Sequence, residues 1–355
     1  MIKSLRLENF RSHKEFELEF EKTNVLIGLN GVGKTNVLEA LFLVSCGRSF
    51  REEDKGNLVK HEADFGRVVV DEIEVIIVKF PRLITKAKER GVGKRMIDLV
   101  GKIPAVVFSP ESLEIVNGAP KDRRRFLDIM ISQIDRDYLS ALSSYTKIRR
   151  RRNQLLQNIA CGAGDESELK FWDKELAREA KIINKKRSEV LSEFNKHLVG
   201  HYREISGDES SKLEIVYHSR SGDDLEKKLR ENRAREIAYG GTIYGPHRDD
   251  LEFLLDTRSA TNYASRGEIR SVILALKMAE LKFLEEAVEK DQNKWKAGTK
   301  PILLLDDIFS EFDAMRREHL SKIILDHQTL ITTTEKEHLG KELLKTAKIV
   351  ELKYH

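Results

Sequence analysis

The sequence predicts an α/β fold in which a sheet-and-helix head is interrupted by an inserted helical segment. A glycine-rich turn at residues 28–35 lies between an apolar strand pattern and a helix pattern. A second apolar stretch, residues 301–305, ends in two aspartates. Between these two stretches, residues 123–238 are highly charged, with helical periodicity and few strand signals. We therefore expect a discontinuous head, residues 1–122 and 239–355, carrying a helical arm at residues 123–238.

The composition is that of a globular chain with much solvated helix. Of 355 residues, 40% are hydrophobic and 34% are charged. The balance of 63 basic against 59 acidic residues, +4 in all, excludes a histone-like polycation but leaves room for local basic patches. The start alternates charged and apolar residues, which excludes a signal peptide, and no apolar run reaches membrane-spanning length. The two cysteines, Cys46 and Cys161, have no metal-site spacing, so we expect a cytoplasmic protein with reduced thiols and no membrane partner.

Alternation and apolar runs place the other elements of the head. The first strand pattern is followed by a second that suggests a hairpin, and strand–helix patterns return after residue 239. We expect strands at 3–10, 16–20, 24–27, 105–108, 251–255, 301–305 and 329–332, one or two strands within 68–80, and helices at 34–45 and 268–288.

The glycine-rich turn matches GxxxxGKT at every fixed position and lies between a predicted strand and a predicted helix. In such a loop the backbone N–H groups and the helix N-terminus bind phosphates. Lys34 would reach the β- and γ-phosphates of ATP, and the Thr35 hydroxyl would ligate Mg²⁺. The bland alternative is an ordinary glycine-rich turn. The residues expected to hold ATP here are Gly28, Asn30, Gly31, Val32, Gly33, Lys34 and Thr35.

The apolar strand at 301–305 predicts the second half of the site. Asp306 would hold the hydration shell of Mg²⁺, and Asp307 would orient or deprotonate the attacking water. Lys34 and Asp307 are thus the expected catalytic residues. The alternative is a buried strand that simply ends at two solvated aspartates.

A third motif suggests that two copies share the nucleotide. Ser265, Arg266 and Gly267 open a long amphipathic helix, and such a helix start can bind an anion. Because the loop at 28–35 already serves the chain's own nucleotide, a second phosphate site suits ATP held by another copy. An ordinary serine cap is the alternative.

Within the arm, Leu169, Leu176, Ile183 and Val190 recur every seven residues, as a helical hairpin or short coiled coil requires. The glycines at 162 and 164 would form its turn. The densest basic clusters are here too. We expect Arg149, Arg150, Arg151 and Arg152 to include DNA phosphate contacts, although four consecutive arginines point all round a helix. The cluster at 123–125 could bind DNA or pair with carboxylates.

Together these segments resemble the RecF family of bacterial recombination proteins along nearly the whole chain. The motifs that carry the resemblance are LENFR at 7–11, GLNGVGKTNVLEA at 28–40, GRSFR at 47–51, FSPE at 108–111, GAPKDRRRFLD at 118–128, YGPHRDDL at 244–251, SRGE at 265–268 and LLDDIFSEFD at 304–313.

The resemblance implies an ABC/SMC-type P-loop ATPase head with an inserted α-helical arm. It also implies an ATP-dependent homodimer, with Ser265 and Gly267 acting across the dimer, and Arg11 and Asn36 at the nucleotide site. Family membership implies slow, DNA-stimulated hydrolysis and binding to double-stranded DNA and to single-strand/double-strand junctions. It implies work with RecR and RecO that helps RecA load at gapped DNA. The resemblance also places Asp307 where most ABC proteins have a glutamate, and the family shares this aspartate. No role is suggested for the stretch 73–95.

Two other classes compete with this interpretation. A P-loop phosphotransferase would need neither the Ser265 motif nor the arm, and no acceptor-binding segment stands out. A DNA-binding scaffold with a vestigial nucleotide site is disfavoured by the intact Lys34, Thr35, Asp306 and Asp307. An SMC-related ATPase that does not act on gapped DNA also remains open.

Overall fold

A computed structural model describes residues 1–222, 224–295 and 297–353 of the chain. The chain divides into two compact units. Unit 1 comprises Met1–Leu113, Glu204–Gly207 and Arg270–His355, and unit 2 comprises Glu114–Arg203 and Asp208–Ile269.

The secondary structure follows the strand–helix order that the sequence suggests at both ends of the chain. The strands are β1 Ser4–Phe10, β2 His13–Glu19, β3 Thr23–Ile27, β4 Phe65–Val70, β5 Ile73–Val78, β6 Ile84–Glu89, β7 Val92–Lys94, β8 Ala105–Phe108, β9 Leu213–His218, β10 Asp250–Leu255, β11 Arg258–Ser259, β12 Ile302–Asp306, β13 Thr329–Thr333 and β14 Lys348–Glu351. The helices are α1 Lys34–Cys46, α2 Glu114–Asn117, α3 Pro120–Ile134, α4 Arg136–Ala160, α5 Leu169–Ser206, α6 Leu225–Glu231, α7 Arg233–Tyr239, α8 Ala260–Tyr263, α9 Arg266–Lys290, α10 Ala314–Asp326 and α11 Lys341–Thr346.

Unit 1 contains a parallel sheet in the order β14-β3-β13-β12-β8. Every residue of β3, β8, β12 and β13 is buried, as expected for parallel strands covered on both faces. The glycine-rich turn and the two aspartates follow β3 and β12, so both lie at the carboxyl edge of this sheet. The strands predicted at 24–27, 105–108, 301–305 and 329–332 are therefore confirmed.

A second sheet of unit 1 is antiparallel, in the order β2-β1-β4-β5-β6-β7. It contains the predicted hairpin β1–β2 and resolves the pattern at 68–80 into β4 and β5. Helix α1 contacts strands of both sheets, among them β1 and β4 on one side and β8, β12 and β13 on the other. Nearly all of its residues are buried for this reason, including Glu39.

Unit 2 contains the predicted helical hairpin, α4 and α5 joined by a turn at Gly162. Leu169, Leu176 and Ile183 are fully buried, but Val190 is only half-buried. The buried stripe moves instead to Leu191, since a straight helix of 3.6 residues per turn drifts away from a strict seven-residue repeat.

The range 123–238, for which the sequence shows few strand signals, is mainly helical but contains one strand among its described residues. Strand β9 lies in that range and pairs with β10, which pairs in turn with β11. The strand predicted at 251–255 is present, but its partners belong to unit 2. The compact units accordingly divide near residues 114 and 270, whereas the sequence suggested boundaries at 123 and 239. None of the helices in the described part of the chain combines the length and apolar composition that a bilayer crossing requires.

Candidate nucleotide-binding site

The loop at residues 28–35 connects the buried strand β3 to α1 in a conformation that depends on glycine. Gly31 and Gly33 have φ of 84° and 101°, and Gly33 is the N-cap of α1. A Cβ on Gly33 would lie 2.6 Å from both His13 Nε2 and Ser12 Oγ. His13 Nε2 also lies 3.0 Å from the Gly33 carbonyl oxygen. The turn of the β1–β2 hairpin therefore packs directly on this loop.

Lys34 places its charge at the mouth of the loop. Its Nζ donates to the carbonyl oxygens of Gly28, at 2.6 Å, and Leu29, at 3.0 Å. Burial lowers the pKa of Lys34, while the charges of Asp307 and Asp306 oppose that shift. A cation so placed can bind a polyphosphate and screen its charge from the two aspartates.

Thr35, at the start of α1, and Asp306, at the end of β12, meet as the sequence predicts. Thr35 Oγ1 donates to Asp306 Oδ1 at 2.8 Å. Thr332 Oγ1 donates to the same oxygen at 2.6 Å. Burial raises the pKa of Asp306, and these two hydroxyl bonds partly oppose the rise. A hydroxyl beside a buried carboxylate is the kind of oxygen donor pair that Mg²⁺ prefers.

Thr332 is a site residue that the sequence reasoning missed. The sequence placed it only at the end of the strand predicted at 329–332. Parallel pairing of β12 with β13 puts it opposite Asp306. Knowing the register between β12 and β13 would have identified Thr332, but nothing in the sequence fixes that register.

Asp307 has a backbone conformation that few non-glycine residues adopt. Its φ is 49°, and its amide donates to both the carbonyl oxygen and Oγ1 of Thr332, each at 3.1 Å. Ser310 Oγ donates to the Asp307 carbonyl at 2.7 Å. Such strain persists only where the surroundings impose it, and it is common at functional sites. The bonds from β13 and from Ser310 therefore fix the Asp307 backbone directly after the strand that ends at Asp306.

Arg11 and Asn36 lie beside the loop and make contacts within the protein. Arg11 donates two parallel bonds of 2.7 Å to Glu39, a fully buried carboxylate of α1. The pKa of Arg11 is raised, first by this hydrogen bond. Asn36 Nδ2 donates to Ser12 Oγ at 2.9 Å. Both residues thus join the β1–β2 hairpin to α1, the helix that follows the glycine-rich loop. Glu39 is a second residue that sequence reasoning missed, because an acid inside a buried helix gives no motif of its own.

In unit 2, Ser265 and Glu268 form a reciprocal cap at the start of α9. The Glu268 amide donates to Ser265 Oγ at 3.2 Å, and the Ser265 amide donates to Glu268 Oε2 at 2.7 Å. Ser265 therefore caps α9, and Arg266 and Gly267 lie in the first turn of that helix. The Ser265 side chain also hydrogen-bonds the Glu268 carboxyl group, and this bond lowers the pKa of that carboxyl.

The expectation that Arg152 contacts DNA is wrong, because its side chain is fully buried. Arg152 donates to Asp173 at 2.8 Å, to Glu236 at 2.6 Å and to Thr242 Oγ1 at 2.9 Å. Arg150 and Arg151 are exposed and Arg149 is half-buried. Three of the four predicted arginines therefore remain candidates for binding an anion.

The motifs at 118–128 and 244–251 come together in unit 2. Arg123 pairs with Asp250 through two bonds of 2.8 and 3.0 Å. The fully buried Arg187 donates to Asp128 at 2.8 Å and to Asp249 at 3.2 Å. Of the two roles considered for Arg123, pairing with a carboxylate is the one observed. These motifs build the interior of unit 2.

His247 fixes a turn in the same region. Its Nδ1 lies 2.6 Å from the Tyr145 hydroxyl and its Nε2 lies 3.0 Å from the Thr242 carbonyl. Burial lowers the pKa of His247 to about 3, with the charges of Arg149 and two further arginines, Arg248 and Arg124, adding to the shift. The neutral ring thus donates from Nε2 and accepts at Nδ1.

Comparisons with known proteins agree with this geometry. A family model described as an AAA ATPase domain matches residues 1–89. The DNA replication and repair protein RecF of Lachnoclostridium phytofermentans is 34% identical over 364 residues, covering 99% of this chain and 98% of that protein. Its counterpart in Moorella thermoacetica is 34% identical, covering 99% and 94%.

Solved structures give the same result. The recombination mediator protein RecF, described with ATPrS in the RecFOR pathway, matches with a TM-score of 0.85 at 32% identity, over 96% of this chain and 94% of that one. The same mediator described with ATP matches with a TM-score of 0.84 at 33% identity, covering 96% and 93%. The Smc head domain of Pyrococcus furiosus matches with a TM-score of 0.52 at 16% identity, covering 99% and 92%. The predicted ABC/SMC-type head with an inserted helical arm is confirmed.

Proposed function

This chain belongs to the RecF family of DNA replication and repair proteins, and on that premise we propose that ATP controls its grip on double-stranded DNA. The chain is an ATPase. In the proposed cycle, two copies close around two ATP–Mg²⁺ and hold DNA, and slow hydrolysis releases them. The protein would act with RecR and RecO to help RecA load at gapped DNA, and it would bind the junctions that flank a gap.

The nucleotide chemistry rests on the contacts of Lys34, Thr35 and Asp306. Lys34 would bind the β- and γ-phosphates of ATP from its position over the loop carbonyls. Thr35 and Asp306 would hold Mg²⁺, since their oxygens already lie 2.8 Å apart and Thr332 fixes the carboxylate. When bound, Mg²⁺ neutralises charge that develops on the transferred phosphoryl group.

Asp307 would act on the attacking water. The Thr332 and Ser310 bonds fix its backbone, so its carboxylate can orient the water or accept its proton. An aspartate is one methylene shorter than the glutamate that most ABC proteins use here. Slow turnover follows from that shorter reach, and slow turnover suits an enzyme whose bound ATP acts as a switch.

The proposed dimer rests on the start of α9. Ser265, Arg266 and Gly267 would meet the phosphates of the partner's ATP at this helix start, where backbone N–H groups suit an anion. An ordinary cap would satisfy the helix equally well, so only a measurement of ATP-dependent dimerisation can separate the two roles.

DNA phosphates would be met by basic residues of unit 2. Arg149, Arg150 and Arg151 lie on α4, and the charges of Arg149, Arg248 and Arg124 act on the neutral His247. Arg149, Arg150 and Arg151 form no ion pair with a described residue, and such guanidinium groups suit phosphate contact without sequence readout. Neutralising Arg149 and Arg150 should reduce the slope of log affinity against log salt by about 0.9 for each DNA phosphate that the protein then leaves unneutralised.

The observation that carries the proposal is the meeting of Lys34, Thr35 and Asp306 at one sheet edge, in a chain that matches a RecF protein over 99% of its residues. The test is the affinity for a fluorescent duplex, by anisotropy, with ATP and with ADP, for wild type and Lys34→Ala. Tight binding only by wild type with ATP is the expected result. Equal binding with ATP and ADP would refute nucleotide control, and ATP binding retained by Lys34→Ala would refute the placement of the site.

A further inference from the structure

The loop at residues 79–83, between β5 and β6 of unit 1, presents two apolar side chains to solvent. Phe80 is 73% exposed and Leu83 is 46% exposed. The base of this loop is fixed: Val78 pairs with Ile84, the Lys79 amide donates to the Asp64 carbonyl at 2.7 Å, and Lys79 Nζ lies 3.3 Å from the Val59 carbonyl. These contacts hold the loop in place, yet it exposes the Phe80 ring, whose burial would be favourable. This exposure needs an explanation.

The same segment is strongly basic. Residues 79–95 contain one acid, Glu89, against Lys79, Arg82, Lys86, Lys88, Arg90, Lys94 and Arg95. Toward the β7 end, the charges are matched: Lys88 pairs with Glu74, Arg90 with Glu72 and Arg95 with Asp98. At the tip they are not, because Arg82 and Lys86 are exposed and form no ion pair with any described residue. The uncompensated positive charge therefore belongs to the same hairpin as the exposed ring, with Arg82 in the loop and Lys86 in the adjoining part of β6.

Nucleic acid fits this combination better than protein. Lysine is depleted from the cores of protein interfaces, whereas cations flanking an exposed aromatic ring are typical of surfaces that bind single strands. The cations contact phosphates and the ring stacks on a base. Inside a continuous duplex each base is already stacked on both sides, so a ring finds a free base face only where the partner strand is interrupted.

We propose that this hairpin tip, Phe80 with Arg82 and Lys86, recognises the single-strand/double-strand junction of gapped DNA. Arg82 and Lys86 contact phosphates next to the junction, and Phe80 stacks on the first base whose partner strand has ended. The inference rests on the proposed DNA-binding function and deepens it, since it assigns the choice of DNA structure to a segment in which the sequence suggests no role.

The test compares two fluorescent probes with identical ends: a continuous duplex, and the same duplex with a short gap in one strand. Wild type with ATP should bind the gapped probe more tightly. Phe80→Ala should weaken binding to the gapped probe about tenfold, the effect of losing one base–aromatic stack, and leave the continuous duplex unchanged. Phe80→Trp should keep the preference. Phe171→Ala is the matched control, because Phe171 is 61% exposed but lies on α5, and it should change neither affinity.

The outcomes separate this inference from the proposed function. If wild type binds neither probe with ATP, the proposed function fails. If wild type binds both probes but shows no preference for the gap, or if Phe80→Ala keeps that preference, the DNA-binding function stands and the role of the tip is overturned. Unchanged binding of a fluorescent ATP analogue by Phe80→Ala would show that the variant is folded.

Discussion

Arg152 should stabilise unit 2 and take no part in DNA binding, and Arg152→Ala tests both statements. The guanidinium is fully buried and bonds to Asp173, Glu236 and Thr242. Arg152→Ala removes the one cation from this cluster of a guanidinium, two carboxylates and a hydroxyl. It leaves two carboxylates inside the protein, where the low dielectric makes an uncompensated charge costly.

The magnitude follows from what each carboxylate keeps. Asp173 retains a bond of 2.9 Å from Arg233, so its charge stays compensated. Glu236 is fully buried and retains only the amide of Ile243, at 2.8 Å, among its described contacts. Breaking a buried ion pair from one side costs about 3–5 kcal/mol. Since one of the two acids keeps a cation, we expect a loss of about 3 kcal/mol, at the lower end of that range.

The assay can follow unit 2 alone, because the two tryptophans lie one in each unit. Trp172 packs near Leu155, Leu156 and Leu169 in unit 2, and Trp295 lies in unit 1. In a Trp295→Phe background, urea titration by fluorescence therefore reports on unit 2. Arg150→Ala, two positions away and exposed, is the control and should change stability by no more than about 0.5 kcal/mol.

Adding Glu236→Gln to Arg152→Ala should recover part of the loss, since it removes the stranded charge. The reasoning is refuted if Arg152→Ala costs no more than Arg150→Ala, or if the double variant is less stable than Arg152→Ala alone. A reduced salt dependence of DNA binding in a folded Arg152→Ala variant would refute the structural assignment separately.

Three further predictions concern the nucleotide. Asp307→Asn should bind ATP normally but hydrolyse it at least about a hundredfold more slowly, as loss of a general base implies; normal phosphate release would assign that role to another group. Ser265→Arg should abolish ATP-dependent dimers in sedimentation experiments while each monomer still binds ATP, and unchanged dimerisation would end the case for contact across the dimer. Asp306→Asn should raise the melting temperature of the nucleotide-free protein near pH 8, because burial raises the pKa of Asp306 and so disfavours its charged form in the fold. The gain should start to shrink as the pH falls through that raised pKa, and it should be gone below the ordinary pKa of an aspartate, where the wild-type carboxyl is protonated in both the folded and the unfolded state. A gain independent of pH would contradict the assignment.

Much of the head was predictable because its signals are local. The loop at 28–35 needs glycines at fixed positions, and a buried strand that ends in aspartates is visible in the sequence. The contact between Thr35 and Asp306 follows once β3, which leads into the loop, and β12, which ends at Asp306, belong to one parallel sheet. Parallel strands end at the same edge of a sheet. The residues that support the site were not predictable in this way. Thr332 depends on strand register, and Glu39 and His13 depend on how a hairpin and a helix pack.

In the helical arm, in contrast, the sequence does not show which side chains of one type are buried and which are exposed. Four consecutive arginines look alike in a sequence, yet Arg152 is buried while Arg150 and Arg151 are exposed. What separates them is the direction in which each points from α4, and that direction matters only once Asp173 and Glu236 are in place. The strand β9 was missed for a related reason: its partner β10 lies beyond two helices, α6 and α7, in the chain.

The order of strands in the parallel sheet has a consequence for how the protein is made. Strand β3, which leads into the nucleotide loop, pairs only with β13 and β14 among the described strands. During synthesis, β3 leaves the ribosome early and has no neighbour until nearly the whole chain has followed. Unit 2 and the antiparallel sheet, in contrast, find their partners within segments already made. The nascent chain therefore holds the aliphatic β3 unpaired for most of translation, and the ATP site is among the last parts of the molecule to form.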